Sequence, residues 1–489
     1  MKKLFVLILT IVAAITLVGC GGGTTGGNTD GVVADNSYTV ETVENLKAQA
    51  DGSVVVSFRI PFGTNIQTII REFADEFEAE YPSVKIELDV VSGYDDMKDA
   101  TIQDINGGVV PTMTVGYPDH FAEYLITKSI ISLDKFINDS KVGYTQEELD
   151  DFLPGYISEN RQFDNAGSYV GLPFNKSTEA LYYNADFFKH FNLKVPETWD
   201  EMASVCQQIL DIVNEKDASG NYVIQDGQYS WLGNIRTNIA NGEFIPCLYD
   251  SGGNLFTTII HQFGGEYTES VYKSNGVVDV QRGLLKFNTN PEAAEALTYL
   301  QNMATKGYFN LPDSMELSYG SYAYNVGKAI MNIGSTGGSS YYNDAICSTE
   351  VAPLPAKDDN GKFVIQQGTN VCIMTQASDL QKLAAWLFIK HMLTPENTAE
   401  FAIVTGYMPV RQTAYDLPDY LDFLDGPTTA AKVHKATSKY ASEGWEYFVD
   451  AAWAGSSNVR TECQTAIAQI LVDKTNIAQA LQEAVNRIG

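Results

Sequence analysis

The sequence predicts an α/β protein of two lobes with a ligand cleft between them. Three observations carry this reading: the length, a β-α-β pattern at the start of the folded part, and a polar crossover stretch near the middle. At 489 residues the chain is too long for one ordinary core. Residues 53–60, SVVVSFRI, suit a strand buried on both faces. Ile66, Ile69, Ile70, Phe73 and Phe77 follow at helical spacing, and Val84, Ile86, Leu88 and Val90 then alternate as a second strand. That order builds a parallel sheet. Residues 171–184, GLPFNKSTEALYYN, break any running element at Gly171 and Pro173 and then enter an apolar, aromatic strand. Ser177 and Thr178, between the two parts, supply short hydroxyls for a helix cap or for a cleft.

The first residues are read as a targeting segment. Lys2 and Lys3 precede an apolar run over 4–17, near the length of a signal-peptide core and short for a membrane span. Leu17-Val18-Gly19-Cys20 resembles a bacterial lipobox, which implies lipidation of Cys20 and anchoring at the outer face of the cell membrane. Residues 1–20 are thus expected to be a lipoprotein signal peptide. Residues 21–50, opening with GGGTTGGNTD, are expected to be a flexible tether.

Composition narrows the partners. Asp and Glu number 61 against 32 Lys and Arg, a net charge of −29 that argues against general affinity for nucleic acid or anionic lipid. Cys206, Cys247, Cys347, Cys372 and Cys463 have no CxxC spacing, and the five histidines never fall at i and i+4, so no metal site is expected. Scattered buried thiols are expected instead. Asp358 and Asn360 fit turn chemistry better than a calcium loop, because the closing bidentate Glu is missing. No Walker motif is present, and no cofactor is called for.

Candidate cleft residues follow from position. Ligands of open α/β sheets bind beyond the carboxyl ends of strands, which selects Tyr94 after the second strand and the corner from Tyr117 to Asp119 after a third. Further on, Thr198 and Glu201 form a capping-box pattern, and residues 291–306 read as a helix opening at Pro291. Residues 329–333 read as a strand leading into Gly334-Ser335-Thr336-Gly337-Gly338, a loop whose N–H groups and hydroxyls suit an anion or a sugar hydroxyl. Residues 351–355 and 363–371 read as strands joined by a hairpin turn at 357–362. The aromatics Trp445, Tyr447, Phe448 and Trp453 are read as core.

With these pieces in order, the sequence resembles the bacterial extracellular solute-binding family that feeds ABC importers of sugars and sugar derivatives. The resemblance rests on GLPFNKSTEALYYNADFF at 171–188, PETWDE at 196–201, AIMNIGSTGGSS at 329–340, TPENTAEFA at 394–402 and TGYMPVR at 405–411. It implies a periplasmic-binding-protein-like fold whose lobes, joined by a three-segment hinge, close over one ligand. The expected lobes are 51–172 with 350–398, and 173–349 with 399–489. Members that bind glycerol-3-phosphate match best at 172–184. Their ligand positions, carried over by motif, fall on Tyr94, Ser177, Ser335, Gly368, Tyr407 and Arg460, with Thr178 beside Ser177.

An acidic ligand contact of those members falls on Pro118, leaving Asp119 as its neighbour, and their tryptophan-rich wall has no counterpart near 251–256. The resemblance therefore implies a sugar or sugar-phosphate ligand, with glycerol-3-phosphate or its diesters first and a neutral mono- or oligosaccharide as the alternative. It also implies membrane permease subunits as partners, a monomer, and no enzymatic activity. A surface glycoside hydrolase or an adhesin lipoprotein is the rival from another class.

Overall fold

A computed structural model describes residues 34–274 and 277–489. The expected signal peptide, Cys20 and the tether up to residue 33 lie outside the described residues. The predicted β-α-β opening is present. Strand Val54–Ile60 pairs in parallel with Val84–Val90, and helix Thr64–Glu80 between them buries Ile69, Ile70, Phe73 and Phe77. Met113–Gly116 adds on the other side, followed by Gln367–Ile373 and Leu172–Ser177, both antiparallel to their neighbours. This five-stranded sheet has its own core, in which Trp386 stacks on Phe136 with ring centroids 5.5 Å apart.

The second sheet runs Thr349–Ala352, Glu179–Asn184, Met331–Ser335, Cys247–Tyr249, Phe309–Asn310. A separate core lies over it, built from helices such as Trp199–Asn214, Gly252–Gln262 and Pro291–Thr305. Thr198 caps the first of these as predicted: its hydroxyl accepts from the Glu201 N–H at 3.2 Å, and the Glu201 carboxylate accepts from the Thr198 N–H at 3.3 Å. Two sheets and two cores make two lobes. All five cysteines of the described residues are buried and free, as expected of apolar filler.

Where the chain crosses between lobes differs from the expected boundaries. Strand Leu172–Ser177 stays in the first sheet and Glu179–Asn184 opens in the second, so the crossing is at Thr178 rather than at 173. Residues 349–352 remain in the second sheet, and helix Pro395–Thr405 remains on the first lobe, where Phe401 joins the core. The predicted hairpin around 357–362 does not form. Its first arm pairs antiparallel with Glu179–Asn184, while Phe363–Ile365 pairs with Glu446–Phe448 and Gln367–Ile373 joins the first sheet. A turn signal fixes local direction; which strand lies alongside is decided by the two cores.

The expected tether is corrected in its second half. Tyr38 is buried, donates to the Ser132 carbonyl at 2.8 Å and stacks on Phe136 at 5.1 Å. Helix Val43–Lys47 buries Leu46 in the same core. A few apolar side chains in a polar stretch are enough to hold it down once a complementary surface exists.

The crossings are fastened together. The Thr178 hydroxyl donates to the Ile365 carbonyl at 2.8 Å, and the Thr178 N–H donates to the Thr336 hydroxyl at 3.1 Å. Met408 N–H donates to the Lys176 carbonyl at 2.7 Å, adding a third segment. Gly368 bulges against Lys176 with φ of +90°, and a Cβ there would sit 1.9 Å from the Asn175 carbonyl oxygen. Gly368→Ala is therefore expected to lower stability by at least about 2 kcal/mol, from positive-φ strain and the forced separation of two strands. A urea midpoint equal to that of the parent would contradict this.

Candidate functional site

Residues that follow strands of the first sheet lie against the second lobe. On the first lobe, Tyr94 opens helix Tyr94–Gly107, and Tyr117 precedes helix Pro118–Ile126; their rings meet edge to face at 5.1 Å. The Tyr94 hydroxyl lies 3.4 Å from that of Tyr407. The Tyr407 ring reaches the other lobe, since a Cβ on Gly337 would lie 2.9 Å from it. Three tyrosines with apolar faces and polar tips thus gather where the lobes approach.

Arg460 stands on the second lobe, in helix Ser456–Leu471. Its Nη1 donates to Asp450 Oδ2 at 2.6 Å, and its Nη2 donates to Asn254 Oδ1. Burial works against the guanidinium charge, but Asp450, Tyr267 and the first-lobe residues Asp119 and Tyr117 more than restore it, so it stays charged. Asp119, in the first turn of its helix, accepts from the His120 N–H at 3.0 Å. Arg460 and Asp119 therefore belong to one electrostatic cluster that spans the lobes. At the rim, Lys98 Nζ donates to Ser457 Oγ at 3.1 Å and the Gly455 N–H donates to Glu123 at 2.7 Å, so the lobes are drawn together.

Ser335 ends its strand half-buried and caps the glycine-serine turn, accepting from the Gly337 N–H at 3.3 Å. Ser177 is buried at the end of its strand opposite Gln367, with no hydrogen bond to its hydroxyl among the described residues. Thr178 and Gly368 also make contacts that hold the crossings. The Thr178 hydroxyl proton is committed to a backbone carbonyl, and the Gly368 carbonyl accepts from Lys176 Nζ at 3.1 Å. Thr178, a candidate for the cleft, stands at the crossing between the lobes. Tyr94, Tyr407, Asp119 and Arg460 are the predicted residues that the fold brings to the lobe interface.

Sequence reasoning passed over four residues of the site. Asn254 and Asp450 hold Arg460. Asp250, after strand Cys247–Tyr249, accepts from the Gly320 N–H at 2.6 Å and from Asn332 Nδ2 at 3.2 Å; burial pushes its carboxyl up to about 6. Glu179 is fully buried beneath, accepting from Asn254 Nδ2 at 2.8 Å and from the Tyr249 hydroxyl. An acid opening the otherwise apolar strand EALYY was the available signal for Glu179.

Residues 72–437 match the sequence profile described as "Bacterial extracellular solute-binding protein". The chain belongs to that family. This solute-binding protein is 25% identical over 356 residues to the sn-glycerol-3-phosphate-binding periplasmic protein UgpB of Escherichia coli K12, covering 71% of this chain and 72% of the relative. Its fold is similar to that of UgpB from Mycobacterium tuberculosis in complex with glycerophosphocholine, with a TM-score of 0.69 and 18% identity over 89% of this chain and 98% of that one. Maltose-bound MalE3 of T. maritima aligns with a TM-score of 0.64 and 18% identity over the same shares, 89% and 98%. The two-lobed fold expected from the resemblance is therefore shown. Among the described residues, no helix is long and apolar enough to cross a membrane.

Proposed function

We propose that this solute-binding protein is the lipid-anchored receptor of an ABC importer, and that it captures a glycerol phosphodiester by closing its lobes. The observation that carries the reading is Arg460, held by Asp450 and Asn254 in the cluster it shares with Asp119 and Tyr117 of the other lobe. A guanidinium offers phosphate a planar pair of donors. Asp450 already neutralises much of its charge and Asp119 lies in the same field, so a singly charged diester suits the site better than a monoester carrying nearly two charges. Likeness to UgpB of Mycobacterium tuberculosis, solved with glycerophosphocholine, supports a diester, while the Escherichia coli relative is named for glycerol-3-phosphate.

Capture involves no bond chemistry. Contacts from both lobes stabilise the closed form, which permease subunits recognise while ATP is spent elsewhere. Tyr94, Tyr117 and Tyr407 supply stacking faces, and Ser177 and Ser335 supply hydroxyls. A neutral mono- or oligosaccharide is the second reading, favoured by the carboxylates Asp119, Asp250 and Asp450 and by the three tyrosines, which suit sugar hydroxyls and sugar faces.

A thermal-shift panel on the chain from Cys20 onward separates the readings, using glycerol-3-phosphate, glycerophosphodiesters, monosaccharides and maltodextrins. A ligand at about 100 times its dissociation constant stabilises the fold by about 2.7 kcal/mol, a visible shift. Diesters are expected to act most strongly, without being consumed. A response to neutral sugars alone would discard the phosphate pocket and keep the transport role; turnover would discard both.

A further inference from the structure

Below the cleft, one amide ties Arg460 to a buried carboxyl. Glu179 is the first residue of the second-lobe strand after the crossing at Thr178, and it is fully buried. Its Oε1 accepts from Asn254 Nδ2 at 2.8 Å and its Oε2 accepts from the Tyr249 hydroxyl, while Asn254 Oδ1 accepts from Arg460 Nη2. The amide is oriented from both ends. An ionised Glu179 only accepts and Arg460 only donates, so Asn254 must turn its NH2 toward the acid and its carbonyl toward the guanidinium. A proton on Glu179 removes one of those two constraints.

The groups facing Glu179 come from four elements: Tyr249 and Asp250 at the end of strand Cys247–Tyr249, Asn254 of helix Gly252–Gln262, Tyr440 of helix Thr429–Ser442 and Arg460 of helix Ser456–Leu471. Arg460 is the cation among them. Asp450, Tyr267, Asp119 and Tyr117 act on Arg460 in turn.

We propose that Glu179 is a positioning residue for Arg460, acting through Asn254, and that it takes up a proton when an anion occupies the cleft. The proposal rests on the reading that Arg460 meets an anionic ligand. An anion that pairs with Arg460 weakens the cation's hold on the Glu179 charge, which raises the affinity of that carboxyl for a proton. Burial already pushes Glu179 up to about 7, against the Tyr249 and Asn254 hydrogen bonds, so the proton is available near neutrality. The linkage has a definite sign. A group whose pKa rises on binding makes binding tighter as pH falls. This separates Glu179 from a residue that only fills space, because filling space carries no proton.

The test is calorimetric titration of the full chain with glycerophosphocholine from about pH 6 to 8, in buffers of different ionisation enthalpy. The diester itself does not titrate there, so protons taken up belong to the protein. Net uptake of part of a proton and an affinity several-fold higher at the acid end are expected. Glu179→Gln should bind with a constant that varies clearly less over this range and with a smaller uptake, the remainder belonging to Asp250 at the acid end. A Glu179→Gln protein with the parent's uptake and pH profile would overturn the proposal.

The carboxyl resonance of Glu179, followed by NMR in the parent and in Arg460→Gln, tests the linkage without a ligand. Loss of the cation must raise its midpoint; an unchanged midpoint overturns the proposal even if every diester binds. If no diester binds, the phosphodiester reading fails by itself, and this resonance still decides whether Glu179 and Arg460 are linked.

Discussion

Arg460→Ala is expected to weaken capture of a glycerophosphodiester by about 2–5 kcal/mol, roughly thirtyfold to several thousandfold, because it removes one partner of a desolvated charge pair. The guanidinium is held before any ligand arrives: Asp450 fixes Nη1 and Asn254 takes Nη2, so little side-chain freedom remains to be lost on binding. Alanine also strands the Asp450 carboxylate. The companion Arg460→Ala/Asp450→Asn protein removes that complication and should recover stability without recovering affinity. Calorimetry with glycerophosphocholine, set beside melting curves of both variants, checks the pair. Affinity within twofold of the parent in either variant would remove Arg460 from the ligand site.

Lys176→Met is expected to destabilise the protein by about 3–5 kcal/mol, the usual result of breaking a buried ion pair from one side. Lys176 is 0% exposed and pairs with Glu159, itself 4% exposed. Burial pulls the lysine pKa down while Glu159 opposes the shift. The carboxylate is fully used: Asn370 Nδ2 and Gln366 Nε2 each donate to it at 2.7 Å. Removing the ammonium leaves that carboxylate without its cation in a dry site beside the crossings. Lys176→Met/Glu159→Gln should be less damaging than Lys176→Met alone, since it buries no lone charge. Urea denaturation followed by tryptophan fluorescence distinguishes these cases. A single variant within about 0.5 kcal/mol of the parent would mean that the pair contributes as little as a surface contact.

Much of this architecture was legible because it is local. The apolar period of residues 66–77 buried the helix face it implied, the alternation at 84–90 produced a paired strand, and Thr198 with Glu201 made the cap their spacing suggests. Tyr94, Asp119, Tyr407 and Arg460, singled out from strand ends and motif resemblance, lie where the lobes meet. What failed depended on contacts distant in sequence. The hairpin expected at 357–362 opened out because its arms had better partners far away in sequence, the first with Glu179–Asn184 and the second with Glu446–Phe448 and the first sheet, and residues 35–50 lay down because Tyr38 and Leu46 found a surface no local pattern announces. Asp450 and Asn254 carry no motif. Each matters only because it meets Arg460.

The sequence by itself determined the class of the protein: two α/β lobes, a polar crossover stretch somewhere within 171–184, and a family resemblance. Periodicity, caps and short motifs are properties of neighbouring residues, and neighbours are visible in a string. Only the tertiary structure decided that Thr178 fastens the hinge, that Lys176 and Glu159 share a dry site, and that Glu179 reaches Arg460 through Asn254. Those assignments depend on burial and on distances of a few ångströms between residues up to some 280 positions apart, because a charge or a hydroxyl acquires its role from what surrounds it in space.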